Sequence, residues 1–250
     1  MNSIWNETVI MPQFSKMTAP QKTDVLIIGG GITGILCAYF LQNAGVDYIL
    51  VEKDRICSGT SGNTTAKITS QHGLIYQNLI NQGIEYAQKY LEINQAAIEE
   101  YAGLCKKISC DFERKPSYVY SLHDKNKLMK ELNALEKIGY SASFEENINL
   151  PFQTAGAIRF ENQAQFHPLK FISGIAKNLQ IFEKTFVKEL APHTAKTTCG
   201  EITFDKLIVA THFPIDNKHG MYSLKMYQHR SYVIALKDGP RIDGMYVNGG

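Results

Sequence analysis

Hydrophobic runs separated by polar gaps divide the chain into short strands and amphipathic helices. Val25 to Ile28 is an unbroken apolar run, the pattern of a parallel strand buried on both faces. Apolar residues recur at Ile32, Ile35, Leu36, Tyr39 and Phe40, three and four apart, which predicts a helix. Ala38 extends the small-residue face begun by Gly34, and Gly45 suits the helix stop. Val46 to Val51 is a second strand. Residues 53–73 are dense in small and hydroxyl residues and read as a polar loop. Between 74 and 108, Ile75, Leu79, Ile84, Ala87, Leu91, Ile98, Tyr101, Cys105 and Ile108 keep helical spacing, in two pieces because Gly83 weakens the middle. The stripe mixes Ala, Tyr and Cys, so it makes a poor coiled coil. Ser117 to Leu122 predicts a strand. Asp124 to Ile138 predicts a helix closed by Gly139, with Leu128, Leu132, Leu135 and Ile138 on one face. Pro168 opens another helix, running to about Leu179. Strands follow at Ile181 to Leu190, Glu201 to Phe204 and Lys206 to Ala210, with Cys199-Gly200 in a turn, and a last candidate runs from Ser231 to Leu236. Residues 1–23 read as an extended arm whose Trp5 and Phe14 dock onto the body.

Candidate chemistry lies between the first strand and the first helix. Gly29, Gly31 and Gly34 form G-x-G-x-x-G. The first permits a tight turn, the second lets a pyrophosphate approach the backbone, and the third lets the helix pack on the strand. Phosphates would lie at the helix N-terminus, by Ile32 and Thr33, where free N–H groups and the macrodipole favour negative charge. Glu52 ends the second strand, placed to accept hydrogen bonds from ribose hydroxyls and to repel a 2′-phosphate, which disfavours NADP. The glycines alone are a weak motif. Strand, glycines, helix, strand and acid in register predict a site for an ADP-containing dinucleotide.

Bulk properties narrow the picture only a little. The chain has 250 residues, 44% of them hydrophobic, and a formal net charge of +2, which gives no case for nucleic acid or an anionic membrane surface. No apolar run reaches spanning length, and the first twenty residues lack a basic-then-apolar leader, so the default expectation is cytoplasmic. Cys37, Cys57, Cys105, Cys110 and Cys199 form neither C-x-x-C nor a zinc spacing. They read as reduced structural thiols, Cys37 buried in the first helix, and no metal is expected. With no repeat and no low-complexity linker, the two inferred parts interleave: an arm at 1–23, nucleotide-binding stretches at 24–75 and 181–215, and substrate-domain stretches at 76–180 and 216–250.

The run Gly29 through Leu41 and Gly45, G-G-G-I-x-G-x-x-x-A-x-x-L-x-x-x-G, resembles the opening fingerprint of the D-amino-acid oxidase and glycine oxidase superfamily of FAD-dependent oxidoreductases. The segment Gly59 to Thr69 and the Ser3-Ile4-Trp5 arm are similar to the branch of bacterial flavoproteins that carry a C-terminal Rieske domain. The resemblance implies an α/β fold: a Rossmann-like FAD/NAD(P)-binding βαβ domain interleaved with an α+β substrate domain, here C-terminally truncated. It implies FAD as cofactor and oxidation of a small amine or amino-acid-type substrate by hydride transfer to flavin N5. It places Gly59, Thr60, Ser61 and Gly62 beside the pyrophosphate, Val187 of Phe186-Val187 at the adenine, and Ala210 and Thr211 at the return strand.

That return strand normally ends Ala-Thr-Gly. His212 replaces the glycine, which narrows the approach to the cofactor or changes the turn. Arg55, and Lys53 beside Glu52, are candidates for the adenosine or phosphate side, and Lys67 for the electron-accepting edge of the flavin. Near the substrate, Arg230 is a candidate carboxylate fork, with Tyr227, His229 or Tyr232 to orient it. No general base stands out. The family's closing C-terminal segment and the Rieske ligand pairs have no counterpart in the sequence. Two alternatives therefore stay open: a non-catalytic remnant or split subunit holding only the ADP part of FAD, and an NAD-dependent dehydrogenase. A C-terminal partner half or self-association is expected to cover the edges left open.

Overall fold

A computed structural model describes residues 3–215, 220–229, 231–234, 236–239 and 242–250. The chain forms two units: Met1–Thr64 with Pro168–Ala235, and Thr65–His167 with Leu236–Gly250. These divisions fall at 64/65, 167/168 and 235/236, against sequence expectations of 75/76, 180/181 and 215/216. The chain crosses between units three times.

The first pass contributes helix α1 (Ile4–Thr8), β1 (Gln21–Ile28), α2 (Ile32–Asn43) and β2 (Tyr48–Val51). It then enters the second unit as β3 (Lys67–Ile68), α3 (Tyr76–Leu79), α4 (Ile84–Cys105), β4 (Glu113–Arg114), β5 (Ser117–Ser121), α5 (Lys125–Lys137), β6 (Ser143–Glu145), β7 (Gly156–Phe160) and β8 (Ala164–Gln165). The return to the first unit is α6 (Pro168–Ala176), β9 (Ile181–Phe182), β10 (Val187–Ala191), β11 (Thr194–Thr197), β12 (Gly200–Val209) and α7 (Tyr222–Lys225). Finally β13 (Met245–Asn248) rejoins the second unit.

In the first unit a six-stranded sheet runs β10-β11-β12-β1-β2-β9. β12, β1, β2 and β9 are parallel neighbours, and β10, β11 and β12 form an antiparallel meander. Val25 to Ile28 are all buried, as an apolar run covered on both faces requires. Leu26 and Ile28 join Ile49, Val51, Val187, Ile202 and Phe204 in one core layer. On the other side α2 buries Gly34, Ile35 and Ala38. Met17 is 1% exposed and sits in the same core layer, while half-buried Trp5 donates its indole N–H to Thr64 O at 2.9 Å and Phe14 its backbone N–H to Glu183 at 3.1 Å, so all three fasten the arm. The arm also differs from expectation in holding a helical turn, and β1 begins at Gln21, four residues before Val25.

In the second unit the sheet runs β13-β5-β7-β6 beside a small β3-β8-β4 sheet. Residues of α3, α4 and α5 share one core with β5 and β7, including Tyr76, Leu91, Val119, Leu135, Ile158 and Phe160. Gly83, at φ 135°, separates α4 from the turn before it. Glu131 of α5 is fully buried and accepts the Tyr76 and Gln77 N–H groups at 2.8 and 2.7 Å, satisfying donors at the start of α3. Burial raises its carboxyl above the ordinary value, and those two bonds oppose the rise. The raised folded value means the native state holds its proton more tightly than the unfolded chain does. Its contribution is therefore greatest at acid pH and declines as pH climbs from 4.5 through the folded value. Urea unfolding of wild type and Glu131→Ala across this range is expected to show that decline in wild type only.

Several strands differ from the sequence expectation. Ile181 to Leu190 is two strands: β9 pairs with β2, and β10 pairs with β11 at the other end of the sheet order. Between them Lys184 takes φ 52° and Glu183 and Thr185 are buried, which stops the ladder. Residues 200–209 are one strand, because the parallel register with β1 is the same on both sides of Asp205, Thr23 opposite Phe204 and Val25 opposite Lys206. The helix from Pro168 ends at Ala176. No strand occupies the described part of 231–236; the last strand among the described residues is β13, paired in parallel with β5. Cys37 is half-buried. Among the described residues no helix is long and apolar enough to cross a membrane.

Candidate functional site

The first unit contains a cleft of about 860 Å³ at the C-terminal ends of its parallel strands. This is the edge at which ligands bind in open α/β sheets. Residues 28–33, 51–61, 185–187 and 209–215 supply most of its lining. Gly29, Gly31, Ile32, Thr33, Glu52, Lys53, Arg55, Gly59, Thr60, Ser61, Val187, Ala210 and Thr211 all contribute to it. Residues distant in sequence thus meet in one place. Gly34 is set back in the first turn of α2.

The three glycines of the motif have different reasons to be glycine. Gly29 has φ 112°, and a Cβ there would stand 2.6 Å from the Ala210 carbonyl oxygen. A Cβ on Gly34 would fall on the Gly29 carbonyl. Both are demanded by the fold itself. Gly31 is not: its φ of −77° suits any residue, and an added Cβ would meet only the Ser61 hydroxyl, at 3.1 Å. Its missing side chain opens space at the mouth of α2, as a cradle for a closely approaching ligand would.

That space is lined with donors. The first bond within α2 runs from Ile35 N–H to Gly31 O, so the N–H groups of Ile32, Thr33 and Gly34 have no partner inside the helix. Ser61 Oγ accepts from Ile32 N–H at 2.9 Å, filling the position an anionic oxygen would take. Glu52 folds over the glycine turn, with one carboxylate oxygen receiving Gly30 N–H at 2.7 Å and the other Asp54 N–H at 2.9 Å. Each oxygen keeps a second lone pair for a ligand hydroxyl. The residues present therefore fit a diphosphate at Gly31 and a ribose diol at Glu52.

Arg55 is engaged elsewhere. Its guanidinium pairs with Glu183 at 3.0 Å, so it lines the cleft as one half of an ion pair. Glu183, 1% exposed, also accepts Phe14 N–H at 3.1 Å and Ile56 N–H at 2.8 Å. The sequence reading missed this residue; with Lys184, Thr185, Lys188 and Glu189 in the same stretch, no local pattern marks Glu183 as the buried acid. The Thr211 hydroxyl donates to Phe213 O at 2.7 Å. The N–H and C=O of Phe186 are both bonded to Thr198, leaving Val187 as the adjoining cleft residue. Cys57, also in the lining, has its thiol pushed up to about 12 by burial and the nearby Glu52 charge, so it stays a neutral thiol.

The proposed substrate side is not assembled in the same way. Lys67 lies in the second unit, on β3, with partial desolvation holding its ammonium below the ordinary lysine value. Tyr232 is 87% exposed. Tyr227 is also exposed and stacks edge-on with His229, at 4.9 Å between ring centroids. Arg230 lies outside the described residues. Cys105 and Cys110 are buried and hydrogen-bonded to one another; burial and then that bond push the Cys105 thiol up to about 12.

Comparisons with known proteins agree with this architecture. A Bacillus subtilis protein described as a Rieske 2Fe-2S iron-sulfur protein, YhfW, is 32% identical over 261 residues, covering 98% of this chain and 51% of its own length. The L-proline dehydrogenase of P. horikoshii superposes with a TM-score of 0.69 at 18% identity, over 92% of this chain and 65% of that one. Glycine oxidase from Geobacillus kaustophilus gives 0.56 at 18%, over 76% and 55%. At such identities the two structures establish the fold. The chain spans about half the length of the curated relatives it matches. The family model for FAD dependent oxidoreductases matches residues 24–248, and the chain belongs to that family.

Proposed function

We propose that the cleft holds the ADP half of FAD, and that the chain is the cofactor-binding part of an oxidoreductase acting on an amine or amino-acid-type substrate. Gly31 is the observation that carries this reading, because the fold leaves its side chain unexplained and a diphosphate explains it. Ile32 and Thr33 N–H would then face the phosphates, and Ser61 would turn its hydroxyl from Ile32 to a phosphate oxygen. Glu52 would hold the ribose diol. Val187 and Phe186 would border the adenine. Bound FAD supplies a hydride acceptor for a carbon next to nitrogen. The relatives' greater length supports a reading in which a further segment or partner chain completes the flavin and substrate surroundings. NAD meets Glu52 equally well, but family membership favours FAD.

The test is an absorption spectrum of the purified chain after incubation with excess FAD and desalting. Flavin bands that stay with the protein are the expected result. A colourless protein from which ADP is nevertheless captured would confine the function to the ADP half. Binding of NAD in preference to FAD would overturn the flavin reading.

A further inference from the structure

Two segments flank the glycine turn from opposite sides. On one side, Ser61 is tied to Ile32 N–H, which fixes the short turn Thr60–Asn63 beside the start of α2. On the other, Ala210 N–H donates to Ile28 O at 2.8 Å, fixing the end of β12 against the end of β1. Each segment then carries an exposed polar side chain that reaches the other. Thr60 Oγ1 and His212 Nδ1 stand 3.3 Å apart, at hydrogen-bond distance, and both residues line the cleft. A glycine at 212, as in the Ala-Thr-Gly pattern, has no side chain with which to make this link.

We propose that Thr60 and His212 form a clasp across the cleft that sets how fast an ADP-containing ligand enters and leaves; this rests on reading the cleft as the ADP site. Both side chains sit on anchored backbone, so the link opens by rotation of a threonine hydroxyl and an imidazole, with no displacement of β12 or α2. The Gly62 N–H and the Asn63 side-chain amide both donate to Gly59 O and hold the turn even when Ser61 is released to a phosphate, so on this proposal the link re-forms over the filled cleft. The clasp therefore acts on association and dissociation together and leaves the equilibrium nearly unchanged. A residue that simply touched the ligand would act mainly on dissociation and so shift the equilibrium.

Stopped-flow mixing of the full chain with FAD, followed by flavin fluorescence and repeated with ADP as competitor, separates these cases. Thr60→Val and His212→Ala are each expected to raise both rate constants about 2- to 10-fold, the range for loss of one side-chain hydrogen bond. For His212→Ala the dissociation constant should stay within about twofold of wild type, and the unfolding midpoints of both variants should be unchanged. Thr60→Ser keeps the hydroxyl and should keep wild-type rates. Unchanged rates in the first two variants, or faster dissociation with unchanged association, would overturn the clasp while the site stands. A wild-type chain that binds neither FAD nor ADP would overturn the site reading and the clasp with it.

Discussion

Gly31→Val is expected to weaken FAD binding by on the order of 100-fold or more, equivalent to about 2.7 kcal/mol, while leaving the fold's stability within about 1 kcal/mol of wild type. Both halves of this expectation come from the same geometry. At φ −77° and ψ 179° the backbone of residue 31 is extended, which a β-branched side chain tolerates. Among the described residues the valine Cβ would meet the Ser61 hydroxyl, which can rotate. A diphosphate has no such freedom, because it must approach the N–H groups of Ile32 and Thr33 through the volume the valine fills. Gly34→Ala makes the contrast. Its Cβ would fall on the Gly29 carbonyl, a backbone atom that cannot move without disturbing β1 and β12, and the cost should be about 3 kcal/mol of stability. Titration with FAD and urea unfolding on both variants check the pair. Normal FAD binding by Gly31→Val would remove the diphosphate from this cleft.

Glu183→Ala is expected to destabilise the chain by about 3 kcal/mol, most of it from two backbone N–H groups, Phe14 and Ile56, left without their acceptor. For a chain of this size that corresponds to roughly 6–12 °C in Tm. Arg55→Ala removes the other half of the ion pair yet should cost under about 1 kcal/mol, since the Arg55 side chain is 46% exposed and water can replace the partner. Glu183→Gln, keeping one acceptor oxygen, should fall between. Thermal unfolding of the three variants decides the order. Equal losses for Glu183→Ala and Arg55→Ala would mean that the ion pair, and not the backbone bonds, holds the arm and the post-β2 loop together. Because Ile56 belongs to the loop that carries Thr60 and Ser61, Glu183→Ala should also loosen FAD binding.

Local pattern explains what could be read from the sequence. β1, α2, β2 and Glu52 are contiguous, and their run, spacing and glycines carry the nucleotide-binding unit almost complete. The helices α4 and α5 are legible for the same reason, down to the break at Gly83; the Asp124 side chain that accepts Lys127 N–H at 2.9 Å is seen only in the structure. What escaped depends on partners far along the chain. β11 is Thr-Ala-Lys-Thr, with only Ala195 apolar, and becomes a strand through its place between β10 and β12. β13 exists through its pairing with β5. The break at 183–186 follows from Glu183 serving the arm and the post-β2 loop, a task that no periodicity records. In the site, residue types and their grouping were readable, but their existing commitments were not: Arg55 to Glu183, Thr211 to Phe213, and Thr60 to His212.

The interleaving of the two units also sets the order in which the chain can fold. β1 lies between β2, which follows within a few tens of residues, and β12; the Thr203 hydroxyl donates to Gln21 O across 182 residues of sequence. During synthesis one edge of β1 therefore stays unpaired until β12 has left the ribosome, although β1, α2 and β2 are already available. The second unit, most of which is one uninterrupted stretch, can collapse first. Contacts this far apart in sequence make for slow folding and a long-lived open strand edge. Expression at lowered temperature or with chaperones present should therefore raise the yield of folded chain more than any change at the surface.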